Sequence, residues 1–187
     1  MGSEASSTPY DDAFRTMTVD CPRLLISVIN EVFDKHYTGD EEIIFHPGEH
    51  LMNQQDGDQD KRITDSSFSI IGETEEKYLF ECQSTPDSSM LVRIFEYMTQ
   101  EALDSGTVTK ARLTVTIPNA AILFLRSSRN TPDEMTIEMR TPGGDVEFQV
   151  PVMKIRNYTL DSLFKKKLYF LLPFYIFTQE KKLKKLQ

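Results

Sequence analysis

A chain of 187 residues, of which 39% are hydrophobic, is long enough for one domain with a sizeable core. No apolar run reaches the roughly 18 residues that a membrane span needs, and no basic region followed by an apolar one opens the chain, so neither a membrane span nor a secretory signal is expected. Cys21 and Cys82 lie far apart without paired spacing, which fits a reduced, cytoplasmic protein. The net charge of −8 is segregated: from Lys154 onward nine Lys or Arg stand against two acids, and the first 153 residues hold 12 basic and 27 acidic residues. An acidic main body argues against a static, high-affinity DNA binder, whose phosphate-tracking surface should be basic. An acidic site loaded with metal, with a basic tail beside it, is compatible.

Taken in order, residues 1–9 read as a flexible lead, 10–180 as a single domain and 181–187 as a basic tail. A short helix is expected over 11–17. Asp20 is a suitable N-cap and Pro22 suits a first helical turn, so the recurrence of Leu24, Leu25, Val28, Ile29, Val32 and Phe33 predicts an amphipathic helix over 21–36. Residues 38–60 are polar and read as loop. Strands are expected at about 61–71 and 77–84, joined by Gly72–Glu76. Asp87-Ser88-Ser89 caps a second helix, whose buried face is Leu91, Ile94, Phe95, Met98 and Ala102 and which ends at Gly106. The apolar runs Leu113–Ile117 and Ala121–Leu125 read as two strands, the second deeply buried. Met135–Arg140 and Val146–Val150 alternate about Pro142-Gly143-Gly144-Asp145, a hairpin signal. From Thr159 the pattern turns helical, with LYFLLPFYIF interrupted at Pro173; ten apolar residues there suit a core or homodimer contact better than a membrane surface. The order of elements predicts an α/β (α+β) domain of three layers, a central mixed sheet flanked by helices.

Two motif matches fail on chemistry. His46-Pro47-Gly48-Glu49-His50 spells an inverted zinc-protease pattern, but Pro-Gly between the histidines prevents the regular helix that would put both on one face. Asp56, Asp58 and Asp60 resemble the start of a calcium loop, yet position six would be Lys61 rather than Gly and position twelve Ser67 rather than Glu.

The informative stretch is Lys61–Met98. In its second strand Tyr78, Phe80 and Cys82 alternate onto one face, so Leu79, Glu81 and Gln83 share the other. A carboxylate and an amide two apart in so apolar a strand are costly to bury without partners. Asp65 interrupts the preceding strand in the same way, and the following helix carries Arg93 and Tyr97 one turn apart. Two acids and an amide on adjacent strands, followed by a helix with Arg93, form a candidate metal and phosphate site.

The ordered set Asp65, Glu81-x-Gln83, Arg93 and Tyr97 resembles the PD-(D/E)XK nuclease superfamily, and within it the recombination-promoting nuclease and transposase-like branch, in which E-x-Q replaces E-x-K. The segments RITDSSFSI and YLFECQSTPDSSMLVRIFEY carry most of the likeness, with LLISVINEVF before them and LYFLLPFYIF after. The resemblance implies a restriction-endonuclease-like core and a metal-dependent endonuclease acting on DNA, linked to transposition or recombination. It implies that Asp65, Glu81 and the Cys82 carbonyl hold Mg²⁺ or Mn²⁺ and that Gln83 positions the attacking water. Arg93, Glu31 and Tyr97 would be accessory. A non-catalytic descendant, acting as an interaction or regulatory module, is the alternative, because the usual Lys is missing; an α/β binding protein with structural acids is a third.

Overall fold

The computed structural model describes residues 9–46, 66–83 and 89–176. Its centre is a six-stranded mixed sheet in the order β1-β2-β3-β6-β8-β7, comprising β1 (Glu42–Phe45), β2 (Ser66–Ile71), β3 (Glu75–Gln83), β6 (Asn119–Phe124), β7 (Glu134–Thr141) and β8 (Gly144–Lys154). Strands β1, β2 and β3 pair antiparallel, β3 pairs parallel with β6, and β6 pairs parallel with the end of β8. A separate two-stranded ribbon joins β4 (Thr107–Val108) to β5 (Leu113–Thr114).

Alternation along β3 divides the interior into two cores. On one face Tyr78, Phe80 and Cys82 join Phe68, Ala121 and Leu123 beneath α1 (Pro9–Asp20) and α2 (Leu24–Phe33). On the other face Leu79, Ile122, Phe124 and Val152 meet Met90, Ile94, Tyr97 and Met98 of α3 (Met90–Asp104). Helices thus cover both faces, as the sequence predicts for a mixed α/β domain. The apolar run after α4 (Leu160–Lys165) also turns inward. Leu168, Phe170, Leu171 and Phe174 are buried in the α2-side core, so this run fills the chain's own interior. No helix among the described residues is long and apolar enough to cross a membrane.

Several boundaries differ from the sequence reading. Asp20 closes α1 instead of capping α2, because Cys21 N–H still bonds to Met17 O and the chain then turns tightly through Pro22. β1 lies within the stretch read as loop; only four residues long and at the sheet edge, it gives too little periodicity to detect. Only Leu113 and Thr114 of the 113–117 run form a strand, and it lies outside the main sheet. The hairpin closes on Pro142-Gly143, with Gly144 at φ 133°, a backbone region open mainly to glycine. Its second strand does not stop at Val150 but runs through Pro151 to Lys154. Val152 N–H donates to Asp133 O on the β7 side, so the missing N–H of Pro151 falls on the β6 side, just before pairing with β6 begins at Val152. From Thr159 the chain makes a short capped helix, a turn with Lys167 at φ 57°, a 3₁₀ turn at Tyr169–Leu171 and a helical stretch at 172–176, not one continuous helix.

Candidate functional site at the carboxyl end of β3

The α3-facing side of β3 carries Lys77, Leu79, Glu81 and Gln83, and the polar three of these find partners on α3 or around it. Glu81 is only 6% exposed. It tolerates burial because Arg93, one turn into α3, reaches down to the strand: its Nη2 lies 3.3 Å from Glu81 Oε1 and donates to Gln83 Oε1 at 3.1 Å. One guanidinium nitrogen, Nη2, therefore bridges the carboxylate and the amide. The Nε of the same arginine is buried without a hydrogen bond. The cluster sits where the neighbours of β3 change from antiparallel β2 to parallel β6.

The expected site residues fall into three groups. Glu81, Gln83 and Arg93 are brought together. Asp65 lies outside the described residues, immediately before Ser66, whose partner in the ladder is Phe80. The Cys82 side chain enters the α2-side core. Gln83 O accepts from Leu125 N–H at the end of β6, and carbonyls alternate along a strand, so the Cys82 carbonyl points towards β2. Tyr97 is buried beneath α3, one turn from Arg93. Glu31 is not part of the cluster: it lies on α2, across the sheet, and binds Lys166 Nζ at 2.6 and 2.8 Å and the Tyr158 hydroxyl at 3.2 Å. Of the rejected zinc pattern only His46 is described; its Nε2 lies 2.8 Å from Ser69 Oγ. The acidic run 56–60 and the basic tail 181–187 also lie outside the described residues.

Sequence reasoning missed a second polar cluster on the same face. Glu101, 7% exposed, accepts from Lys77 Nζ at 2.9 Å and from Ser67 Oγ at 3.3 Å. Burial pushes its carboxyl towards the neutral form, but the Lys77 ammonium, with help from His46 and Ser67, more than offsets this and holds the group below the usual carboxylate range. A signal was present. Glu101 continues the helical stripe of Arg93 and Tyr97 at four-residue spacing, and Lys77 shares the strand parity of Glu81. Also missed was Lys154, 6% exposed at the end of β8, which donates to Thr131 O at 2.8 Å and pairs with Asp133 at 2.5 Å.

The donor set around Glu81 consists of hard oxygens: a carboxylate, an amide oxygen and the Cys82 carbonyl. In kind it fits Mg²⁺ or Mn²⁺. Among the described residues it contributes one carboxylate, and no group of three or more His, Cys, Asp or Glu there converges on a metal position. The second carboxylate of such a site would have to come from Asp65. Comparison of the chain with protein-family models, with curated proteins and with solved structures finds no match.

Proposed function

We propose that this protein is a metal-dependent endonuclease that hydrolyses DNA phosphodiester bonds in transposition or recombination, on a restriction-endonuclease-like three-layer core. The observation that carries this reading is the part-buried bridge of Arg93 to buried Glu81 and to Gln83 at the carboxyl end of β3. A buried acid with an amide and a guanidinium gathered on it at the end of a strand is costly for a fold that needed only packing. Glu81, Asp65 and the Cys82 carbonyl would hold the cation. When bound, Mg²⁺ or Mn²⁺ supplies phosphate charge neutralisation and a water of lowered pKa. Gln83 can orient a water by hydrogen bonding but, as an amide, takes no proton at neutral pH. Arg93, with guanidinium donors in a fixed fork, can turn from the carboxylate to a phosphate oxygen.

The test is nicking of supercoiled plasmid with Mg²⁺ or Mn²⁺ and with EDTA, run beside Asp65→Ala and Glu81→Ala. Metal-dependent nicking lost in both variants supports the proposal; nicking indifferent to both substitutions removes it. A second reading, a nuclease-like module without catalysis, is favoured by two specific features. Arg93 already neutralises Glu81, and position 83 supplies no cation to the attacking water. Binding of DNA and metal without any nicking selects that reading.

A further inference from the structure

The chain leaving β6 passes directly beside the site, and it is tied down at three points. Leu125 N–H bonds to Gln83 O at 2.9 Å, so the loop over 125–133 starts at the last residue of the candidate constellation. Arg156 Nη1 donates to Ser127 O at 3.3 Å. The buried ammonium of Lys154 holds Thr131 O and the Asp133 carboxylate from below. Ser128 and Thr131 close the loop on itself, with Ser128 N–H bonding to Thr131 Oγ1 at 3.0 Å and Asn130 N–H to Ser128 Oγ at 3.1 Å. A lysine is seldom buried without a specific task, and here its task is to fix a surface loop.

That loop exposes Arg126 and Arg129, and Arg156 lies exposed beside its Ser127 end. Together, residues 125–133 and 154–156, the stretches at the carboxyl ends of β6 and β8, carry four Lys or Arg against one Asp, in a chain of net charge −8. Positive charge is therefore gathered at the end of the sheet where Glu81 and Gln83 lie. A basic rim on a loop whose backbone is already tied down suits a regular polyanion, because that backbone loses little further freedom on binding.

We infer that the 125–133 loop, through Arg126 and Arg129, is the surface that tracks the phosphate backbone of duplex DNA, with Lys154 and Arg156 as positioning residues. The inference rests on the nuclease reading for its substrate. Its test is fluorescence anisotropy of a labelled duplex across a salt titration, for the full chain and for Arg126→Ala/Arg129→Ala. Both residues are exposed, and a thermal melt of the variant checks that it stays folded. The log–log salt slope should fall by roughly 0.9 for each phosphate that is no longer neutralised. A charge-matched control on the β4–β5 turn, Lys110→Ala/Arg112→Ala, should leave it unchanged. In plasmid nicking, the loop variant should raise KM and keep kcat. A lowered slope in the loop variant supports the loop assignment even where the wild type never nicks, an outcome that sinks the nuclease reading alone. An unchanged slope, or an equal fall in the control, overturns the loop assignment while wild-type nicking keeps the nuclease reading intact. Tighter salt-dependent binding to single-stranded RNA than to duplex DNA overturns the assignment to duplex DNA.

Discussion

Gln83 is the residue on which the proposed chemistry turns, and its hydrogen bond to Arg93 alters what a substitution there should do. In the proposed nuclease, a lysine at 83 would bring a cation to the water-holding position, but it sets that cation against a guanidinium and deletes an accepted hydrogen bond. Gln83→Lys alone should therefore lose about 1 kcal/mol of stability and gain little cleavage. Gln83→Lys combined with Arg93→Gln, which removes the competing cation and offers an amide acceptor, should recover the stability. Urea melts and plasmid nicking of the three proteins check this. Stability changes of the two single variants that merely add in the double variant would show that the two positions do not interact as their hydrogen bond implies. Glu81 faces the converse problem. Its charge is balanced by Arg93, so Glu81→Gln, which still accepts from the guanidinium, should change stability by less than about 1 kcal/mol while nicking falls to background.

The α3 helix joins two polar clusters to one sheet face, and its lower one is the more purely structural. Because Lys77 and Ser67 hold the Glu101 carboxyl below its ordinary range, the folded state binds that proton less readily than the unfolded chain does. The contribution is fully present above the unfolded-state value and is lost as pH falls through the folded one. Glu101→Gln should cost about 1–3 kcal/mol at neutral pH, and the gap from wild type should close on acidification, as read from thermal melts between pH 7 and pH 3. A constant gap across that range would place the cost in packing instead. At this scale much was legible in the sequence: the α3 stripe, the parity of β3 and the hairpin followed from periodicity alone. What periodicity does not carry is partnership. Nothing local marks Glu101 as the partner of Lys77, or Lys154 as the anchor of a loop more than twenty residues earlier. Glu31 illustrates the reverse error. It sits on a well-predicted helix, but the register of the fold assigns it to Lys166, on the other side of the sheet.

For the whole molecule the decisive quantity is whether the folded state binds a divalent cation. A ligand that binds only the native state raises its stability by about 2.7 kcal/mol at a hundred times its dissociation constant. Wild type should gain melting temperature with excess Mg²⁺ or Mn²⁺, and Glu81→Gln much less, with EDTA as the reference for both. A wild type indifferent to metal, beside a strongly destabilised Glu81→Gln, would make Glu81 a structural acid and remove the nuclease reading.

The placement of β6 has a consequence in time as well as in space. Its central partners come from opposite directions of the chain, β3 long before it and β8 well after, with Ile122 aligned to both Glu81 and Val152. As the ribosome releases the chain, Glu81 and Gln83 emerge without the strand that will flank them. Pairings between segments so distant in sequence form slowly. The strand environment around Glu81 and Gln83 is thus absent from the nascent protein and is complete only once synthesis has passed Lys154. Amides of β6 should then exchange with deuterium only through global opening, while the exposed outer half of the β7–β8 hairpin exchanges through local fraying.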